Sequence, residues 1–206
     1  MKIGTKSILY GAHCFFLHPW FVALAWWKLY GFPWDIRLWV AFFVHDLGYW
    51  GKPNMDGEEG ENHPYLGAKI MHFLFDKYDR VFNRWSDGEI GFRKIRRQEW
   101  YHFTLFHSRF LARREGGQYS RLCVADKLSF ILTPRWIYLP MVKATGEIYE
   151  YIRHANEGKY LSETRSTATL NDWHDSVCEY MYRWVQEHKD LREDTWTPTS
   201  RKEAQS

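Results

Sequence analysis

Cysteine is scarce in this chain, and what there is cannot cross-link it in any familiar pattern. Cys14, Cys123 and Cys178 are odd in number, far apart and outside any C-x-x-C spacing. This excludes a disulfide framework and a zinc ribbon, and predicts reduced core thiols in a cytoplasmic protein. An excess of one charge is also missing: 28 Lys and Arg against 25 Asp and Glu leave a net charge of +3. That balance tolerates an anionic ligand but lacks the basic stripe of a nucleic-acid binder, so no stable nucleic-acid partner is expected. Long hydrophobic runs are absent as well. Residues 8–27, ILYGAHCFFLHPWFVALAWW, lack acids, Lys and Arg, yet two His, a Gly and a Pro interrupt them. A transmembrane helix needs about 20 mainly apolar residues, so a buried core helix is expected here and no membrane partner. No small-x-small site follows, as a signal peptide would require.

Large rings are abundant instead. Aromatic residues make up 19% of the 206 residues, with 12 Trp, which favours a ring-built core and one sizeable domain. Strand signals are few and helical periodicity recurs. Leu170, Trp173, Val177, Tyr180, Met181, Trp184 and Val185 share one helical face. Asp35 is placed to cap a helix running to about His45, and GYWGKPNMDGEEGE at 48–61 reads as a loop. Further helices are predicted over 64–78, 87–107, 120–132, 136–153 and 170–189, with 156–168 a loop. The expected architecture is all-α: a single-domain helical bundle over 1–190 and a mobile polar tail over 191–206.

One pair breaks this pattern. In FFVHDLGYWGK an apolar helix ends in His45 and Asp46, and adjacent buried ionisable groups are costly unless something pairs with them. A hydrogen-bonded helix end would satisfy them, and so would a metal ion. Other ligand-type residues near helix ends or inside apolar runs are His18, His63, His107 and Asp126. Imidazole with carboxylate suits divalent Mn, Fe, Co, Ni or Zn, and converging helices can aim such groups at one point. His13 competes with His18, and His102 with His107; His72, His154, His174 and His188 read as ordinary histidines.

The motifs together resemble the HD-domain superfamily of metal-dependent phosphohydrolases. HPWFVA at 18–23 is similar to the helix start carrying that family's first histidine, FFVHDLG at 42–48 to its His-Asp pair, and VADKLS at 124–129 to its closing aspartate. ENHPYLGAKIM at 61–71 and the segment from His107 to Asp126 resemble members with two metals. The resemblance spans about 12–132 and implies an HD-type bundle with His18, His45, Asp46, His63, His107 and Asp126 as ligands, Asp46 bridging two ions. No GYP triplet follows His107, unlike cyclic-dinucleotide phosphodiesterases of the family, and no acidic pair directly follows Asp46, unlike its guanosine tetraphosphate hydrolases.

The activity so implied is hydrolysis of a phosphoester or phosphoanhydride by metal-activated water, with a nucleotide or other small phosphorylated molecule as substrate. Beside Asp46, Glu61 is the candidate general acid in the acidic loop before His63. Lys52, Arg109, Arg113 and Lys127, with Arg114, are candidate phosphate contacts near the ligand segments. Tyr49, Trp50 and Tyr119 are candidates to stack on a base. The basic run FRKIRRQEW at 92–100 reads as a solvated helix face. Six-ligand HD proteins also resemble di-iron oxygenases, and a non-catalytic module with a structural metal is a third reading; a homo-oligomer is compatible with all of them.

Overall fold

The computed structural model describes residues 1–84, 90–96, 98–156 and 169–190. The loop expected over 156–168 and the tail expected over 191–206 fall almost entirely outside them. Helices dominate: α1 (Ile3–Tyr10), α2 (His18–Tyr30), α3 (Ile36–Val44), α4 (Glu58–Glu61), α5 (Pro64–Phe75), α6 (Glu99–Leu105), α7 (Arg109–Arg114), α8 (Arg121–Leu132), α9 (Arg135–Thr145), α10 (Glu147–Asn156) and α11 (Leu170–His188).

Capping residues fix several of these boundaries. The Asp35 carboxylate accepts from the Arg37 amide at 2.9 Å and starts α3. Ser120 starts α8 and Thr169 starts α11 in the same way, each hydroxyl accepting an amide in the first turn. The main core lies where α2, α3, α5, α8 and α11 meet, around Val22, Phe42, Met71, Leu122, Val124 and Trp184. α2 runs along α8 and α5 along α6, so the segments carrying the ligand-type residues belong to one packed group of helices. The predicted face of α11 is the one that packs: Trp173, Val177, Tyr180, Trp184 and Val185 are buried.

Four expectations are corrected. Residues 8–27 do not form one helix: α1 ends at Tyr10 and α2 begins at His18, with Gly11 to Leu17 turning between them. No helix among the described residues is long and apolar enough to cross a membrane. The helix expected over 87–107 is only α6; before it, β1 (Tyr78–Arg84) pairs antiparallel with β2 (Ile90–Arg96), Tyr78 opposite Arg96 and Arg84 opposite Ile90. The basic run therefore begins on a strand and not on a helix face. The helix expected over 136–153 is two, because Gly146 takes φ +86°, a left-handed stop that a side chain would strain. Finally, the 48–61 loop holds a single 3-10 turn, Leu47–Tyr49, and the one-turn α4.

Candidate metal centre

Three of the ligand-type histidines sit on the same local device. His45 follows α3, His63 follows α4 and His107 follows α6. Each ring places Nδ1 on the carbonyl three residues back: His45 on Phe42 at 2.9 Å, His63 on Gly60 at 2.7 Å, His107 on Thr104 at 2.6 Å. A carbonyl can only accept, so Nδ1 carries the hydrogen. The bond satisfies one of the carbonyls left over at a helix end. It also locks the tautomer whose Nε2 bears a lone pair, the form a metal ion requires.

Asp46 lies between these nitrogens. Its Oδ2 is 3.0 Å from His45 Nε2 and 3.2 Å from His18 Nε2; its Oδ1 is 3.3 Å from both His63 Nε2 and His107 Nε2. From α8, Asp126 Oδ1 approaches His18 Nε2 at 3.2 Å and His45 Nε2 at 3.9 Å. The result is two groups, His18–His45–Asp46–Asp126 and Asp46–His63–His107, each with its ligand atoms within 4.8 Å of one another.

The atoms inside these groups lack other partners. Nε2 of His18, Nε2 of His45 and Oδ2 of Asp46 are buried without a hydrogen bond. Buried polar atoms left in this state require an explanation. His63 Nε2 and His107 Nε2 lie 3.1 Å apart, and with both Nδ1 atoms protonated these are two lone pairs facing each other. A cation resolves both situations. Two nitrogens and two carboxylates, or two nitrogens and one carboxylate, are donor sets that divalent first-row metals accept.

Two glycines permit this convergence. A β-carbon on Gly48 would collide with the His63 carbonyl, and one on Gly67 with the Val44 carbonyl and His45 Cα. The close backbone approach of α5 to the end of α3 sets His63 beside Asp46.

Charge in the centre follows from burial and neighbours. For His45, burial pulls the pKa down, but the Asp46 and Asp126 carboxylates outweigh it and hold it up at about 10. His18 is raised too, burial again being outweighed by the two aspartates. Burial would raise both carboxyls, yet His45 and other imidazoles hold Asp46 well below its usual range, and Lys127, His18 and His45 do the same for Asp126. Burial dominates at His107 and lowers it to about 4. Without an ion, the carboxylates stay charged and His45 holds a proton between them.

Each predicted ligand is in one of the two groups, whereas the flanking candidates divide. Lys127 Nζ donates to Asp126 Oδ2 at 2.8 Å. Arg109 donates to the Tyr180 hydroxyl at 2.7 Å and lies over the Trp184 ring. Arg113 is exposed and donates to the Tyr119 hydroxyl at 3.1 Å, and Arg114 bonds Tyr65 and Asn62 on the surface. Lys52 packs its backbone against Gly4 of α1, and Glu61 lies half-buried in α4 outside both ligand groups. Tyr49 is buried and stacked on His63 at 3.8 Å, Tyr119 packs edge-on to Trp184, and Trp50 is exposed. His102 is exposed and stacked on Phe106, which leaves His107 as the ligand-type residue of that pair. His13 stands beside His18 rather than in its place, ring centroids 5.7 Å apart. Sequence reasoning missed the residues that hold His13, Ser7 and Glu147; Glu147 reads as an ordinary acid in a first helical turn.

Comparison with protein-family models, curated proteins and solved structures gave no match. The fold and site therefore define a class by geometry alone. This is a helical protein with a buried His/Asp cluster suited to a metal ion, an arrangement compatible with an HD-like site.

Proposed function

We propose that the protein is a metal-dependent phosphohydrolase of the HD type, holding two divalent first-row ions and cleaving a phosphoester or phosphoanhydride of a nucleotide or other small phosphorylated molecule. The observation that supports this most is the division of Asp46, one oxygen toward His18 and His45, the other toward His63 and His107. A carboxylate shared in this way is the natural bridge between two cations. Such ions act as Lewis acids toward a phosphoryl oxygen and lower the pKa of the water they bind.

The chain supplies the remaining functions. His45, His63 and His107 arrive with their tautomers set, so binding an ion costs no ring reorientation. Lys127 neutralises the Asp126 oxygen that faces away from His18. Arg109, an electrostatic neighbour of Lys127, keeps a fixed orientation through Tyr180 and Trp184. Two cations thus accompany the single carboxylate of Asp126, a charge balance that suits a phosphate.

The test is elemental mass spectrometry on protein purified without added metal or chelator, followed by phosphate release from a panel of nucleotides and sugar phosphates under nitrogen. About two ions per chain, lost in His45→Ala and Asp126→Ala, with release supported by Mn or Co, is the expected result. Turnover that depends on dioxygen would assign an oxygenase instead, and a chain that takes up none of the first-row ions would end the enzymatic reading.

A further inference from the structure

Next to the ligand groups, a second polar assembly runs into the core, and none of the roles above uses it. Glu147, the first residue of α10, is fully buried. Its Oε1 accepts from the Ala12 amide at 2.9 Å and the Thr145 hydroxyl at 2.7 Å; its Oε2 accepts from the Ser7 hydroxyl at 2.8 Å and the Tyr151 hydroxyl at 3.1 Å. Four donors satisfy this carboxylate in place of water. A β-carbon on Gly11 would collide with Glu147 Oε1, so the turn after α1 passes directly over the acid.

That turn carries His13. With its hydrogen given to Glu147, Ser7 Oγ can only accept from the histidine, and it lies 2.9 Å from His13 Nδ1 and 3.3 Å from the His13 amide. The relay therefore places the ring hydrogen on Nδ1, the same tautomer the helix-end carbonyls impose on His45, His63 and His107. Nε2, on the side of the ring away from Ser7, bears a lone pair and has no hydrogen-bond partner among the described residues. The ring lies edge-on to His18 and 4.7 Å from Tyr49, which itself stacks on His63. Asp46, Asp126, His18 and His63 are its electrostatic neighbours.

We propose that His13 is a water-orienting contact of the metal centre: held by Ser7 and Glu147, its Nε2 accepts the O–H of the water that attacks the substrate. This rests on the phosphohydrolase reading. The relay fixes the sense of the contact, because an acceptor meets a hydroxyl favourably and a phosphate oxygen unfavourably. His13 is not a further metal ligand, since its ring belongs to neither ligand group.

Long-range proton–nitrogen correlation spectra of the protein as purified test the relay without reference to turnover. His13 is expected as the Nδ1–H tautomer, with Ser7→Ala and Glu147→Gln each depleting it; an Nε2–H tautomer in the unmodified protein would overturn the proposal. In Mn-loaded protein, His13→Gln is expected to keep the wild-type ion count while altering the relaxation of solvent protons, and unaltered relaxation would count against a held water. Against an aryl phosphodiester, the same variant is expected to lose kcat about 100-fold, the scale of a misplaced reactant, at unchanged KM. A loss of bound ions would make His13 a ligand, and a loss confined to hydroxyl-bearing substrates would make the substrate its partner; either result overturns the water contact. Should the wild type hydrolyse no phosphoester, the proposed reaction fails by itself, while the tautomer and relaxation results still judge the placement of His13.

Discussion

At the scale of single residues, an ion entering the centre would compete with a proton. His45 uses Nδ1 on the Phe42 carbonyl, so the extra proton it holds up to about pH 10 occupies Nε2, the ligand atom. An ion must displace it. Affinity for Mn or Zn is therefore expected to climb with pH, by up to about tenfold per unit for one displaced proton, with protons released to the buffer. Calorimetry at several pH values in buffers of different ionisation enthalpy checks this, and an affinity flat between pH 6 and 8 would contradict it. The same shifts act on the metal-free fold. Because the folded pKa of His45 is raised, its contribution to stability is complete below about 6.5 and lost as pH rises through about 10. Asp46 and Asp126 are depressed, so theirs is present above the ordinary carboxylate range and lost in acid. Removing the ion should thus leave a protein most stable between these limits.

At the scale of elements, the histidines are placed by helix ends and the helix ends by glycines. Gly48 and Gly67 permit the backbone of α5 to lie against the end of α3. Gly48→Ala and Gly67→Ala are each expected to cost about 1–3 kcal/mol, as overpacking does, and to weaken metal binding because His63 moves away from Asp46. Denaturant unfolding with parallel metal titration measures both; wild-type stability in either variant would refute the close-approach argument. The element with the plainest local signal was legible in the sequence: α11 spans the predicted segment and buries its periodic face, and α8 spans the helix expected over 120–132. The His and Asp residues that cluster were conspicuous in the sequence because they lie near helix ends or inside apolar runs, and the resemblance grouped them. Three features were not. Gly146 costs only about 1 kcal/mol inside a helix, so its pattern does not distinguish a stop from a tolerated residue. The basic residues of β2 look helical until they are paired with β1, a non-local fact, although Asp87-Gly88 between the two is a dipeptide that hairpins favour. The burial of Glu147 depends on a turn 135 residues away in sequence, reached through the Ala12 amide.

For the whole molecule, the candidate ligand residues come from five places in the chain: the start of α2, the end of α3, the entry to α5, the end of α6 and the middle of α8. Ions held there would join segments that pack through the ring-rich core and that meet at the centre through carboxylates, imidazoles and the proton on His45. An ion there would tie α2, α3, α5, α6 and α8 together through the same groups. An ion that binds the folded chain and not the unfolded one stabilises by mass action, about 2.7 kcal/mol at a hundredfold excess over Kd. For a domain of this size that corresponds to a rise in Tm of roughly 5–10 °C. Thermal unfolding after chelation and after reloading with Mn, Co or Zn should show that rise in the wild type and none in Asp126→Ala or in Asp46→Ala, which removes the carboxylate both groups share. Equal shifts in all three proteins would place the ion elsewhere. A wild type as stable chelated as loaded would mean that protonated histidines alone satisfy the centre.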